Sequence, residues 1–476
     1  MRVFWHMVLA LAALWLPSAA EARAKDSTGV EVTVSRSGAG WVIDYRFAHA
    51  APVWFFPRSA NALDKAPWRP RSWTVETPGV TLEHVGHYDM LAGNGAPLRH
   101  VRIRMKPYAE PLIGDYTPAL AFSDGNLALY SEQFFPMPAA SREAVVALPG
   151  DLNGVELETT PATLRLVDSG RRLLFKGRAT EGRLSVPLGD AGDYVYSGDA
   201  ALTENAAFAG VIDAGLPAWV RGQLDDFTPR LFALYRERLG APATGRPIGL
   251  VAWQGAEKPG WSLGGSVLPG TIVMQLSGKR VLASDPQVLA QLQWFLGHES
   301  SHFWLGQTVR YSRRAESWIT EGGADLLAIR AIETLAPGYD AHEKLQQELD
   351  ECLQRVGPGE ALGASDDRNQ FRAYYACGAL MMLAAESVSK RKGGDLFGFV
   401  RALIGAKHAD GSINADDWFT AFAAAGANPA IAVRLRDYVD KGDADPRGMW
   451  TAIFDSAGIA WWMDGQRITL GVKPAA

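Results

Sequence analysis

The sequence predicts an α+β protein, with an N-terminal β-sandwich-like domain followed by a mixed unit whose small sheet gives way to a helical lobe. Three observations carry this. Apolar and polar residues alternate over strand-length runs from about residue 28 to residue 200. The period turns helical at Pro217. From residue 286 onward the periodic segments are mainly helical, bounded by capping residues, glycine or proline. The length of 476 residues fits two or three domains. With 47% hydrophobic and 21% charged residues, this is ordinary globular composition. A net charge of -5 gives no reason to expect a nucleic-acid partner.

At the N-terminus, Arg2 precedes an apolar run at 8–16 that is too short to span a membrane as a helix. Ala20, Glu21 and Ala22 form a small-x-small cleavage site, so residues 1–22 read as a signal peptide. The expected mature chain starts near Arg23, is exported to a periplasm or secreted, and has no membrane span after cleavage. Strand patterns follow at 30–34, 41–47, 80–85 and 100–105. Two more, at 163–167 and 172–175, flank Asp168, Ser169 and Gly170, which read as a hairpin turn. Trp41, Trp54, Trp68 and Trp73 are expected to pack the core rather than form a carbohydrate platform. His84, His87 and Asp89 lack a persuasive metal-ligand spacing. Together, residues 23–204 make the β domain.

From Pro217, Trp219, Leu224, Phe227, Leu231, Leu234 and Leu239 form a helical stripe that stops at Gly240. Strands are expected at 248–253 and 271–276. Asp285 then caps a helix opened by Pro286 and running to about Gly306. The basic loop 310–314 reads as solvated. Helices follow at 321–335, 340–356, 369–390, 395–407, 415–424 and 429–439, and a short strand pair is expected within 450–472. These limits give a central domain at 205–442 and a short C-terminal extension at 443–476. Cys352 and Cys377, the only cysteines, fall on expected helices of one domain, where a bridge and two buried thiols both fit.

The helix opened by Pro286 carries His298, Glu299 and His302, the two-histidine zinc signature. Residues four apart share a helix face, so both imidazoles meet one Zn2+ ion while Glu299 stands beside it as a base. Eighteen residues separate His302 from Glu321, and Asp325 follows four later. A second helix starting at Glu321 would put both carboxylates on one face. Glu321 would complete the ligand set, and Asp325 would accept a hydrogen bond from a ligand imidazole and fix its tautomer. A rival pattern, Gly260-x-Ser262-x-Gly264, fits a serine-nucleophile elbow, but a strand rather than a helix is expected after it.

The sequence between 294 and 330 resembles the gluzincin metallopeptidases, above all the aminopeptidase N-like and glycyl aminopeptidase-like families. The gap from His302 to Glu321 is similar to the aminopeptidase N-like spacing, as are the run 302–309 and the segment 316–322. Tyr375, three residues before Gly378, resembles the family's catalytic tyrosine, with Tyr374 as the rival phenol. Over roughly 205–440 the resemblance implies a thermolysin-like zinc metallopeptidase domain acting on a peptide or protein substrate, with Glu299 and Tyr375 catalytic. It further implies that Gly264 and Gly265 lie on a substrate-binding edge strand. In the family, a glutamate on that strand binds the free amine of the substrate. Here Val267 stands at that position, which argues against strict aminopeptidase specificity. A zinc-binding module without activity and a hydrolase of non-peptide substrates are the alternatives. The intact Glu299 speaks against the module, since a structural zinc site needs no base.

Overall fold

The computed structural model describes residues 29–472, apart from 39, 151, 153–154, 190–191 and 205–208. The expected signal segment lies outside the described residues. The architecture is α+β, with an N-terminal β domain and a C-terminal helical lobe. In the first domain a nine-stranded sheet runs, in spatial order, Trp73–Val75, Leu98–Met105, Gly40–Ala51, Val30–Ser37, Ala162–Phe175, Tyr194–Gly198, Leu127–Tyr130 and Ala119–Ala121, with Arg178–Leu188 paired to Ala162–Phe175. A four-stranded sheet orders Met137–Ala139, Val53–Phe56, Tyr88–Gly93 and Val80–Val85. Trp54, Phe56 and Leu91 of the smaller sheet share one core with Val32, Ile43 and Ile103 of the larger.

Trp41, Trp54, Trp68 and Trp73 are all buried, so they pack rather than bind. Arg69 is fully buried among the rings of Phe56, Trp68 and Trp73, and its guanidinium lies 2.5 Å from Asp89. His84 takes the other carboxylate oxygen of Asp89, which leaves that acid committed to structure.

The hairpin reading at Asp168 is corrected. Ala162–Phe175 is one strand, and the chain reverses only at Lys176 and Gly177. Asp168 is buried, accepting from Ser197 at 2.6 Å and pairing with Arg36 at 2.8 Å. Its turn-like neighbourhood is instead a register shift between Val167 and Arg172, where Gly170 supplies a positive φ.

A third, five-stranded sheet has the order Thr203–Glu204, Ala209–Ile212, Ile248–Trp253, Thr271–Ser277 and Ser262–Leu268. Ser262–Leu268 is antiparallel to its neighbour and forms an edge. Ser262 therefore opens a strand on that edge, and the serine-elbow pattern has no strand-to-helix turn to occupy. Leu174, Tyr194 and Tyr196 of the first domain pack on Val211, Leu250 and Val273 of this sheet, which docks the β domain beside the edge strand.

The helical lobe follows: Trp318–Leu335, Ala341–Arg355, Arg372–Lys390, Leu396–Gly405, Ala415–Ala425 and Pro429–Asp440. A further helix, Pro446–Ala457, occupies part of the stretch read as mixed, and the strand pair narrows to Trp461–Asp464 and Arg467–Leu470. Cys352 and Cys377 form a disulfide between two lobe helices. No helix among the described residues is long and apolar enough to cross a membrane.

Candidate metal centre and active site

The helix Pro286–Ser301 begins where Asp285 accepts hydrogen bonds from the backbone N–H groups of Gln287 and Val288, at 2.9 and 3.1 Å. It ends sooner than Gly306. His302 is its C-terminal cap, still in right-handed helical conformation, and the chain then turns through Gly306 at φ +144. His302 therefore keeps its place one turn above His298, although the helix stops beneath it.

Both imidazoles are buried and fixed from behind. Nδ1 of His298 lies 2.7 Å from a carboxylate oxygen of Asp325, and Nδ1 of His302 lies 2.7 Å from the carbonyl of Leu305. Neither partner donates, so each Nδ1 carries the proton, and each Nε2 turns a lone pair toward one point. The two Nε2 atoms are 3.0 Å apart, and Oε2 of Glu321 is 3.5 Å from one and 3.4 Å from the other. Ligand atoms about 2.0–2.1 Å from a tetrahedral zinc ion lie about 3.3 Å apart, so these donors fit zinc. Oε2 of Glu321 is buried and without a hydrogen-bond partner, as a ligand oxygen would be. Among the described residues His298, His302 and Glu321 are the one group of this kind.

The field around the donors favours a cation. Burial works against a proton on His298, yet the Asp325 carboxylate overrides it and pushes the imidazole up to about 10. Burial also opposes ionisation of Glu321, but His302 and His298 hold its carboxyl well below the usual range. Glu299 moves the other way, because burial raises it and the two imidazoles only partly pull it back.

The elements meet through glycines. A Cβ on Gly297 would stand 2.9 Å from that of Ala328, so Pro286–Ser301 crosses Trp318–Leu335 in close contact just before His298. A Cβ on Gly322 would stand 2.1 Å from the backbone of Gly378, which brings Arg372–Lys390 against the residue after Glu321. Tyr375 reaches the site from that helix. Its ring stacks on His298 at 5.5 Å between centroids, while Tyr374 turns away and donates to the carbonyl of Gly363 at 3.0 Å. Burial first, then the nearby Glu321 and Glu299, hold the Tyr375 phenol well above its ordinary value, so it stays a neutral donor.

Glu299, Tyr375, Gly265 and the three donors line one cavity of about 430 Å³. Gly264 lines the adjoining cavity instead. Gly265 has no room for a side chain, since a Cβ would meet Phe295 at 2.7 Å and the Val273 carbonyl at 2.1 Å. Four residues without an assigned role in the sequence reading also belong here. Tyr116, from the β domain, lines the cavity, and no local signal marks it. Tyr311, from the basic loop, lines it as well. Gln307 binds the edge-strand turn, accepting from Gly270 N–H at 3.0 Å and donating to the Leu268 carbonyl at 2.9 Å. Arg372 sits over the Tyr375 ring at 4.7 Å and 3.7 Å from Asp325.

No protein-family model matches the chain, and no curated protein matches it. Solved structures do. Leukotriene A4 hydrolase from Saccharomyces cerevisiae superposes with a TM-score of 0.50 at 12% identity, over 88% of this chain and 68% of that one. The chain has the gluzincin zinc metallopeptidase fold. An M1 zinc metallopeptidase from Deinococcus radiodurans is similar at a TM-score of 0.45 and 16% identity, covering 86% of this chain and 92% of that one. A two-domain M1 zinc metallopeptidase bound to L-tryptophan gives 0.45 and 14%, with coverage of 88% and 95%. Within the gluzincin fold, His298, His302 and Glu321 form the His-Glu-x-x-His plus glutamate ligand set.

Proposed function

We propose that the protein is a zinc-dependent metallopeptidase that hydrolyses peptide bonds in a peptide or protein substrate and is not a strict aminopeptidase. The reading rests chiefly on one observation: Glu299 and the neutral phenol of Tyr375 face the same cavity as the three metal donors. On this reading the central unit is thermolysin-like. A zinc ion held by His298, His302 and Glu321 supplies Lewis acidity, making water nucleophilic near neutral pH and polarising a carbonyl. Glu299, raised by burial, takes the proton of the attacking water and passes one to the leaving amine. Tyr375 donates a hydrogen bond to the oxyanion of the tetrahedral species. Gly264 and Gly265 offer edge-strand backbone to an extended substrate. Asp325 holds His298 in its tautomer. Val267 lines the cavity where a carboxylate would take a free amine, which supports tolerance of blocked N-termini. The signal-like residues 1–22 and the disulfide support export to an oxidising compartment.

The test is a mixed peptide library digested by zinc-loaded wild type and by Glu299→Gln. Removing the base is expected to cost roughly 10²–10⁴-fold in rate. Equal turnover by the variant would show that Glu299 is not the base, and no cleavage by wild type would favour a binding module.

A further inference from the structure

We propose that the cleft takes a polypeptide that continues beyond the reacting bond and carries an acidic side chain, which Lys65, Arg58 and Arg314 receive. This deepens the peptidase reading and rests on it. Three cavities join end to end. Tyr116, Gly265 and Ser266 line both the cavity at the metal donors and a second one of about 520 Å³. Arg58, Gly114 and Asp115 line both the second and a third of about 990 Å³. A substrate that ended at the reacting residue would leave this space unfilled, whereas an extended chain runs through it.

The charges decide what the chain carries. Among the described residues Asp115 is the one carboxylate lining the second cavity, and the Arg58 guanidinium, 2.5 Å away, neutralises it. A free amine therefore finds no unpaired anion there. In the third cavity Arg58, Lys65 and Arg314 stand against Asp115 alone. Arg314 is paired with Asp366, which lies outside that lining. With Asp366 counted, three cations stand against two carboxylates, which leaves a surplus of one positive charge, on Lys65. Its cations come from two walls: Arg58 and Lys65 from the β domain, Arg314 from the segment leading to Glu321. A carboxylate seated between them is attracted from both sides, and the attraction weakens as salt screens it.

The test uses N-acetylated, internally quenched peptides that differ only in carrying aspartate, asparagine or lysine at successive positions before the cleaved bond. Zinc-loaded wild type is compared with the double variant Lys65→Glu/Arg314→Glu; Lys65 is exposed and the Arg314 side chain is 63% exposed, so the pair should fold. Circular dichroism and zinc content check that it does. Wild type is expected to favour aspartate over asparagine by about tenfold in kcat/KM at one position, the size of a few partly screened charge pairs. The double variant should lose or reverse that preference, and 0.5 M salt should flatten it (about a 4–5 Å screening length). A second arm measures binding of the same peptides to Glu299→Gln by fluorescence anisotropy. Cleavage without any charge preference overturns this proposal and leaves the peptidase reading intact. Charge-dependent binding to the cleft with no cleavage by wild type upholds the basic cleft and defeats the peptidase reading. Retention of the aspartate preference by the double variant also overturns the assignment.

Discussion

Two imidazoles four positions apart serve one ion only if each turns a nitrogen lone pair to the same point. Asp325 and the Leu305 carbonyl secure that by holding the two Nδ1 atoms. Most of this residue-scale arrangement was legible in the sequence, because His298 and His302 sit one turn apart on one helix and Glu321 and Asp325 one turn apart on another. The choice between Tyr374 and Tyr375 rested on spacing to Gly378. The structure turns Tyr375 to the cavity and ties Tyr374 to Gly363. Tyr116 and Arg58 were not legible, because tertiary docking of a separate domain brings them to the cleft. Tyr375→Phe keeps the ring against His298 and removes only the hydroxyl. We expect kcat to fall on the order of 10²–10³-fold with zinc content unchanged. An unaltered kcat would remove Tyr375 from the chemistry.

At the scale of elements, the site is set by how closely helices approach. The glycine after Glu321 and the glycine three residues after Tyr375 touch each other, so the carboxylate and the phenol converge. Both glycines were visible in the sequence as motif positions, but their shared purpose became clear only when the helices were seen to cross. Gly322→Ala would press a methyl group into the Gly378 backbone. Overpacking of this kind costs about 1–3 kcal/mol. The expected outcome is a lower denaturation midpoint together with weaker zinc binding, measured by urea titration and metal competition; a variant with both unchanged would mean the crossing does not set the site. Elsewhere, the Asp168 hairpin was misread because its turn-forming composition serves a bulge inside a longer strand. The helix Pro446–Ala457 was missed although its signals were present. Asp445 caps it by accepting from Gly448 at 3.0 Å, Pro446 opens it, and Gly458 closes it in the left-handed region.

At the scale of the whole molecule, the β domain is joined to the catalytic sheet by a buried carboxyl. Asp193 accepts a hydrogen bond from Thr271 at 2.6 Å. Burial pushes Asp193 up to about 6, against the weaker lowering by Thr271 and the Tyr194 N–H. The native chain therefore holds this proton more tightly than the unfolded chain, whose aspartates titrate near 3.9. Stability from this group is fully present below about pH 4, is lost as pH rises to about 6, and is constant above that. The span corresponds to about 2–3 kcal/mol. Asp193→Asn should be more stable than wild type at pH 7–8 and should lack the decline between pH 4 and 6, as read by urea denaturation across pH. Superimposable pH profiles would show that Asp193 ionises without penalty.

On the proposed function, two helices supply three donors to one zinc ion and a fourth side chain, Glu299, that is not a ligand. Zinc stoichiometry after metal loading and gel filtration, determined on wild type, Glu299→Gln and Glu321→Ala, tests it most directly. One zinc per chain is expected in wild type and in Glu299→Gln, and loss of the metal in Glu321→Ala. Wild type without zinc, or Glu299→Gln losing the metal as Glu321→Ala does, would contradict it.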